Sequence, residues 1–155
     1  MNGPLFEVQV SQIHDLTPRV KELVLCATGP GKLPQWNAGA HVPLYLPSTG
    51  RSPIIRHYSL ISCKAMEDDP PNTYRIAVQR EVNGRGSNYL HDGLKTGETL
   101  KFGMPINGFS LDRHAERVLL LAAGIGITPL ISMARSLRQR QKPFSLIYCG
   151  HSLAQ

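Results

Sequence analysis

The sequence predicts a six-stranded antiparallel β-barrel followed by the start of an α/β domain with a parallel sheet. Six short segments rich in β-branched, aromatic and leucine residues come first, separated by turn signals. The pattern changes after Leu111 to a continuous apolar run, a glycine turn, a helix and another strand. We therefore divide the chain into a barrel domain, residues 1–112, and an incomplete first β-α-β unit of a second domain, residues 115–155.

The six predicted strands favour a barrel because closure of a small sheet removes its exposed edges. One short helix, Ser87–Asp92, interrupts them and is expected to end at Gly93. The predicted strands are Phe6–Ile13, Val20–Ala27, His41–Leu46, Arg56–Ser62, Tyr74–Arg80 and Thr99–Phe102. The turn signals between them are Gly29-Pro30-Gly31, Ser48-Thr49-Gly50, Asp69-Pro70-Pro71 and Asn83-Gly84.

The second unit begins with Arg117–Ala123, whose continuous apolar run predicts a strand buried on both faces. Thr128 as N-cap and Pro129 at the first helical position predict a helix that ends before Lys142-Pro143. Phe144–Cys149 then predicts a parallel strand. Two strands and one helix cannot cover both faces of such a sheet, so we expect a longer natural chain, with residues 151–155 in a loop.

Composition excludes several classes of protein. The chain is 41% hydrophobic and 18% charged, which is typical of a globular protein, and no apolar run is long enough to span a bilayer. No signal peptide and no metal-ligand spacing are recognisable, and the free thiols of the three cysteines favour the reducing cytoplasm. The net charge of +6 is spread out. One cluster of basic residues lies in the predicted helix and just past it, and we interpret it as a solvated face. We therefore predict neither a nucleic-acid nor a membrane partner. The residues of this cluster are Arg135, Arg138, Arg140 and Lys142.

Three motifs carry candidate chemistry. The first is Arg56-His57-Tyr58-Ser59, where Arg56 and Tyr58 share one face of a strand. Arginine offers a planar fork for phosphate, tyrosine a rigid surface for a flat ring, and serine a hydroxyl that donates or accepts a hydrogen bond. A purely structural role for such residues in a half-buried strand stays open at this point.

The second motif is Asn83-Gly84-Arg85-Gly86-Ser87, whose glycines let backbone N–H groups approach an anion, with Ser87 as the cap of the short helix. The alternative is an ordinary hairpin turn, which Asn-Gly favours. The third motif is Gly124-Ile125-Gly126-Ile127-Thr128-Pro129, a glycine turn between a buried strand and a helix, typical of a dinucleotide site. A structural glycine turn is its alternative.

These motifs, in this order and spacing, resemble the ferredoxin–NADP reductase superfamily and, within it, the phthalate dioxygenase reductase-like, FMN-containing oxygenase reductases. The resemblance covers nearly the whole chain. Besides the three motifs it includes Ala38–His41, Ile76–Val78, the linker Gly103–Phe109 and Tyr148-Cys149-Gly150. It implies that the barrel is a Greek-key, flavin-binding barrel and that the chain is the N-terminal part of such a reductase.

The resemblance also implies roles for individual residues. Arg56 would bind the flavin phosphate, Tyr58, with His57 beside it, would lie against the isoalloxazine ring, and Ser59 would sit near N5 as a catalytic residue together with Thr128. The phosphate loop would be Arg85, Gly86 and Ser87, and the pyrimidine edge of the flavin would follow Ala77, Val78 and Gln79. The nicotinamide nucleotide would face Gly124, Gly126, Thr128 and Pro129.

The implied function is that of a reductase component. NADH or NADPH would reduce FMN, and electrons would pass through a [2Fe-2S] centre in a missing C-terminal part to a Rieske-type mono- or dioxygenase. Two alternatives stay open from the residues alone: FAD in place of FMN, and a non-enzymatic flavin-binding or docking fragment. A Rossmann-type NAD dehydrogenase is disfavoured, because about 120 residues of β-rich sequence precede the glycine turn.

Overall fold

The computed structural model describes residues 3–48, 50, 52–61, 72–112 and 114–150. Six antiparallel strands form one sheet in the order β4-β3-β6-β1-β2-β5. The strands are β1 Leu5–Thr17, β2 Val20–Ala27, β3 His41–Leu46, β4 Ile54–Ser59, β5 Thr73–Gln79 and β6 Thr99–Gly103. All six predicted strands are therefore present, with bounds that differ by a few residues at some ends. Several predicted features lie outside the described residues: Thr49, Ser62, Cys63, Asp69–Pro71 and residues 151–155.

The sheet wraps around a hydrophobic core. Alternate residues of the strands point inward, as the period of two requires, and the largest buried side chains include Phe102, Leu23 and Leu25. Tyr74 and Phe102 meet edge to face with ring centroids 5.3 Å apart. This core supports the outward-facing residues of β4 and β5.

The two edge strands, β4 and β5, approach each other beyond the end of β4. The Ile61 N–H donates to the carbonyl of Arg75 at 2.9 Å, and the Leu60 N–H donates to the carbonyl of Ala40. Within the described residues, β4 and β5 do not pair along their length, so the sheet is six-stranded and antiparallel but its ladder is not closed.

The short helix predicted over Ser87–Asp92 divides into two turns. α1 spans Arg85–Asn88, and a π-helical turn follows over Tyr89–Gly93. The helical segment ends at Gly93, as predicted. The buried ring of His91 makes a 2.9 Å hydrogen bond between Nε2 and the carbonyl of Val78, which fastens this segment to β5.

The last part of the chain is the predicted β-α-β unit. β7 (Val118–Ala123) pairs in parallel with β8 (Phe144–Cys149), and α2 (Ile127–Gln139) packs on one face of the pair. The prediction that β7 is buried on both faces is wrong for this chain. Leu119 is 58% exposed and Leu121 is 64% exposed, because α2 covers only the face that carries Leu120 and Ala122.

Candidate functional site

Arg56 and Tyr58 share one face of β4. Tyr58 packs against the main core, and burial raises the pKa of its phenol to about 12, while the nearby charge of Arg56 acts in the opposite direction. The Arg56 side chain is exposed, and its Nη1 donates to the carbonyl of Ile55 at 2.8 Å. The strand therefore presents a supported aromatic ring beside a guanidinium group that can reach solvent.

The first turn of α1 lies against the stem of Arg56. A Cβ atom at the buried Gly86 would lie 3.1 Å from Cγ of Arg56 and 3.1 Å from Cδ1 of Leu46. Only a residue without a side chain fits this approach comfortably, since both neighbours would have to move for a larger one. Gly86 thus brings the backbone of the turn to the base of the Arg56 guanidinium.

The hairpin interpretation of Asn83-Gly84 is wrong, because Gly84 leads into α1 and not into a strand. The prediction that Ser87 caps this helix is also wrong: the N-cap is Gly84, and no side chain caps the first turn. Ser87 lies inside α1, where its Oγ donates to the carbonyl of Gly84 and accepts from the Glu81 N–H at 3.1 Å. Its hydroxyl holds the turn in shape, and the first-turn backbone is left to meet a ligand.

β5 divides the predicted pyrimidine-edge residues between two faces. Ala77 and Gln79 point outward, whereas the Val78 side chain is fully buried in the core. Val78 also shares its carbonyl with the His91 ring. Any contact of Val78 with a ligand is therefore restricted to its backbone.

His57 and Ser59 differ in their surroundings. The exposed His57 alternates with Arg56 and Tyr58 along β4, and its ring meets that of His41 at 5.1 Å between centroids. Burial, and then the neighbouring His57, lower the pKa of His41. Ser59 is half-buried at the last position of β4.

A cleft of about 870 Å³ separates the six-stranded sheet from the β7–α2–β8 unit. One wall is formed by Ala77 and Gln79 of β5 with the neighbouring end of the β1–β2 hairpin. The other wall is formed by the carboxyl ends of the two parallel strands and the start of α2, the edge at which open α/β sheets bind ligands. Its residues are Ala123, Gly124, Ile125, Ile127, Thr128, Ile131, Arg135, Tyr148, Cys149 and Gly150.

The start of α2 differs from the predicted cap. Gly124–Gly126 forms a 3₁₀ turn, α2 begins at Ile127 with Gly126 as N-cap, and no side chain caps it. Thr128 is already helical and its Oγ1 donates to the carbonyl of Ile125 at 3.0 Å. Pro129 is the third helical residue, still among the positions whose N–H has no partner within the helix. The positive end of the α2 dipole lies at the cleft, where it suits an anionic ligand.

The predicted site residues fall into two neighbouring groups. Ala77, Gln79, Gly124 and Thr128 line the cleft, whereas Arg56, Tyr58 and the residues of the Gly84–Ser87 turn do not. The second group lies on the β4 side of the same sheet, where Gly86 contacts Arg56. The first group therefore includes residues of the edge strand β5, and the second includes residues of the other edge strand, β4.

Sequence reasoning missed part of the cleft. The end of the β1–β2 hairpin reaches it because Val20 pairs with Gln79, a register between distant segments that carries no local sequence signal. The interpretation of Arg135 as part of a solvated face is wrong, since Arg135 lines the cleft and donates to the carbonyl of Ile61 at 3.0 Å. Its spacing of four residues from Ile131 on one helical face was the available signal. The missed hairpin residues are Leu16, Thr17, Arg19, Val20 and Glu22.

The Glu22 carboxylate in the cleft wall is already paired. The Glu22 carboxylate lies 3.0 Å from Nη1 of Arg75 and 3.5 Å from Nδ1 of His14. In the part of the chain that the structure describes, no group of three or more His, Cys, Asp or Glu side chains is arranged to hold a metal ion. Among the same residues, no helix has the length and apolar character needed to cross a membrane.

Comparison with known proteins gives a consistent picture. The chain is 41% identical over 147 residues to the heme-dependent oxidative N-demethylase beta subunit of Ectopseudomonas mendocina, covering 93% of this chain and 44% of that protein. It is 39% identical over 151 residues to the carnitine monooxygenase reductase subunit of Escherichia coli, covering 96% and 45%. The chain thus spans less than half the length of these relatives. No protein-family model matches it.

The fold agrees with these sequence matches. The solved structure of phthalate dioxygenase reductase, described as a modular structure for electron transfer from pyridine nucleotides to [2Fe-2S], superposes with a TM-score of 0.85 at 31% identity. That match covers 97% of this chain and 45% of the reductase. With the order of its motifs, its six-stranded sheet and its glycine turn, the chain has the ferredoxin–NADP reductase fold and is similar over nearly its whole length to phthalate dioxygenase reductase-like proteins.

Proposed function

We propose that this chain is the flavin-binding and initial nucleotide-binding part of a reductase component that passes electrons from NAD(P)H to an oxygenase. The observation that carries the proposal is the pairing of two sites on one sheet. Arg56, Tyr58 and the Gly84–Ser87 turn form a phosphate-and-ring site on β4, and Ala77 and Gln79 face an uncapped glycine turn across the cleft.

The donor set beside β4 fits a flavin. A flavin needs a flat partner for its ring and cationic or N–H donors for its phosphate. Tyr58 offers a ring supported by the core, and Arg56 offers a guanidinium at the edge of a turn whose first residues have no side-chain cap. Arg85 adds a second cation to the same turn. Gly86 supports this assignment, because a side chain there would press on the Arg56 stem.

The cleft fits the nicotinamide nucleotide. Gly124, Gly126, Thr128 and Pro129 lie at the amino end of α2, where the helix dipole favours phosphate. The Thr128 hydroxyl donates its hydrogen bond to the carbonyl of Ile125. We therefore propose that Thr128 acts by shaping the turn beside the flavin. Ser59, at the end of β4, is the proposed hydrogen-bonding partner near flavin N5.

The division of labour follows from the residue types. A bound flavin supplies the chemistry, accepting hydride and releasing electrons singly. The protein contributes orientation, phosphate anchoring and exclusion of water, and needs no side-chain acid or base pair. The finer assignments are proposals too: residues 1–112 as a closed Greek-key flavin barrel, residues 115–155 as the start of the nucleotide domain, and FMN as the flavin, with FAD as the alternative.

The partner and the remaining cofactors are proposed from the relatives. The carnitine monooxygenase reductase subunit and the phthalate dioxygenase reductase support an oxygenase partner and a [2Fe-2S] centre beyond this chain. NADH and NADPH stay equal candidates as donors. The unpaired thiols of Cys26 and Cys149 support a cytoplasmic location.

The visible spectrum of the purified chain, saturated with FMN or FAD and freed of excess, tests the proposal. We expect one flavin to be retained and dithionite to bleach it, whereas NADH should bleach it slowly, because the chain spans less than half the length of its relatives and holds only the first part of the proposed nucleotide site. Mass spectrometry of the released cofactor decides between FMN and FAD. Failure to retain either flavin would reject the proposal, and retention without any NADH reaction would favour the non-enzymatic flavin-binding alternative for this chain.

A further inference from the structure

Helix α2 rests on the loop that precedes β3. Ala38 of this loop packs against the smaller hydrophobic cluster under α2. The Asn107 side chain of the linker donates to the carbonyl of Ala38 at 3.1 Å, so the linker also holds the loop. The position of α2, and of the glycine turn at its start, therefore depends on how the helix is attached at this loop.

Ser132 makes the first attachment. Its side chain is fully buried, and its Oγ accepts the Gly39 N–H at 3.1 Å while donating to the carbonyl of Pro129 at 2.7 Å. One bond crosses to the six-stranded region and the other stays within the helix. A buried backbone N–H requires a partner, so Ser132 satisfies a donor that the loop presents to α2.

The loop and the helix are in direct contact at Gly39. Its φ is +91°, and a Cβ atom there would lie 1.9 Å from the carbonyl oxygen of Phe109 and 2.6 Å from Cε of Met133. Phe109 belongs to the linker and Met133 belongs to α2. Glycine therefore lets the loop before β3, the linker and α2 pack together at one point. The hydrogen bond from Gly39 to Ser132 holds α2 there.

Arg135 makes the second attachment, three residues further along the same helical face. Its Nη1 donates to the carbonyl of Ile61 at 3.0 Å, and the Ile61 N–H in turn donates to the carbonyl of Arg75 on β5. The second anchor is thus tied to the strand that carries Ala77 and Gln79. Two attachments on one face resist both tilting and rotation of the helix.

We propose that Ser132 and Arg135 are positioning residues that hold the Gly124–Gly126 turn at a fixed distance from the Ala77 and Gln79 wall. Ser132 lies five residues after the start of α2, so the attachments are within about two turns of the glycine turn. Hydride transfer needs reacting atoms within about 3–3.5 Å, so a small shift of this wall matters. The link to hydride transfer rests on the proposed function, whereas the attachment itself does not.

Amide residual dipolar couplings of the ¹⁵N-labelled chain, measured without flavin or nucleotide, test the attachment. In the unaltered chain, couplings from α2 and from the six strands should fit one alignment tensor. In Arg135→Met, which keeps the length of the side chain but loses the donor, the α2 couplings should depart from the tensor of the sheet. Arg135→Lys, which retains a donor, should restore the fit, and Arg138→Met, at the exposed last turn of α2, should leave it unchanged.

Hydrogen exchange of the Gly39 amide tests the first attachment. Ser132→Ala should speed this exchange about tenfold, the effect of losing one hydrogen bond. Ser11→Ala, which removes a hydroxyl bonded to the carbonyl of Val24 within the six-stranded sheet, should leave it unchanged. If Ser132→Ala fails to fold, the residual dipolar couplings of Arg135→Met decide whether α2 is attached to the sheet as proposed.

A single alignment tensor in both Arg135→Met and Ser132→Ala, with unchanged Gly39 exchange, would overturn the proposal. With flavin bound, the same variants should admit iodide to the flavin faster than Arg138→Met does, and equal quenching would reject the effect on the cleft. A chain that retains no flavin rejects the proposed function instead, and the couplings then still decide whether the attachment exists.

Discussion

The two walls of the cleft are supported very differently. The wall from β5 stands on the main core, whereas the wall from β7 and β8 is covered by α2 on one face and exposes Leu119 and Leu121 on the other. The first region therefore has apolar burial of its own to hold a ligand site. The second receives its position through α2 and the loop at Gly39. Substitutions in the two regions should accordingly differ in kind: loss of binding or stability in the first, loss of relative position in the second.

Gly39→Ala should break this arrangement most severely, because the loop before β3, the linker and α2 are in direct contact at Gly39. The new Cβ would meet the Phe109 carbonyl oxygen at 1.9 Å, and the backbone is in the left-handed region. We expect a loss of about 3–4 kcal/mol in the free energy of unfolding, measured by urea denaturation.

Gly97→Ala is the matched control, since Gly97 has a φ of +92° but no atom within 4 Å of a new Cβ. Gly97→Ala should lower the free energy of unfolding only by the cost of holding an alanine in the left-handed backbone region, about 1–2 kcal/mol. Equal losses in the two variants would show that the close approach at Gly39 contributes nothing.

Arg56→Ala tests the ligand site of the first region alone. Loss of a charge-assisted phosphate contact, about 1.5–3 kcal/mol, should weaken flavin binding by about 10- to 100-fold while the unfolding midpoint of the flavin-free chain stays nearly unchanged, because the side chain is exposed. Flavin content after gel filtration and fluorescence titration measure the effect. Arg138→Ala serves as control, and equal flavin retention in both variants would argue against the role of Arg56.

Local patterns predicted the elements of both regions, but not the cleft between them. Val20–Ala27, His41–Leu46 and Phe144–Cys149 have the predicted bounds, since apolar periodicity and turn residues act within a few positions. The β1–β2 hairpin reaches the cleft only through pairing of Val20 with Gln79, distant in sequence.

Two predicted helix caps are wrong in the same way. Thr128 and Ser87 have the side chains that favour an N-cap, yet each lies inside its helix and bonds a carbonyl three residues earlier. At both helices the N-cap position is taken by a glycine, Gly126 or Gly84. At Gly84 the backbone comes close to its neighbours, since a Cβ there would lie 2.7 Å from Cβ of Glu81, whereas a Cβ at Gly126 would meet no atom within 4 Å.

Tyr58→Phe tests whether the Tyr58 ring is packed against the main core. Burial raises the pKa of Tyr58 from 10.0 to about 12, so the unfolded chain loses the phenolic proton at lower pH than the folded chain does. Stability is therefore fully present below about pH 10 and is lost progressively as the pH rises towards 12.

The phenylalanine variant should lose less stability across this interval, by up to about 2 kcal/mol, because the group that titrates has gone. Urea denaturation at several pH values from 9 to 12 measures it, in about half-unit steps. The wild-type chain is the control at each pH. Parallel pH profiles for the two chains would mean that the Tyr58 ring is as accessible as in the unfolded state.

Asp92→Asn should have the smallest effect and confine it to the first region. Asp92 accepts a bidentate contact from Arg80, with Nη1 to Oδ2 at 2.9 Å, and this hydrogen bond is the main cause that lowers the pKa of the carboxyl from 3.8. A lowered carboxyl pKa contributes stability above the unfolded value, and that stability is lost as the pH falls through the folded value.

Since both side chains are exposed, screening by salt should reduce the contribution further. We expect the stabilities of the wild-type chain and the variant to converge as the pH falls below the ordinary carboxyl range and to differ slightly at neutral pH, with a smaller difference in high salt. The Gly39 amide exchange should stay the same in both, because the Arg80–Asp92 contact joins β5 to the π-helical turn and not to α2. A change at Gly39 would mean that the two walls of the cleft are coupled through the sheet itself and not only through the attachments of α2.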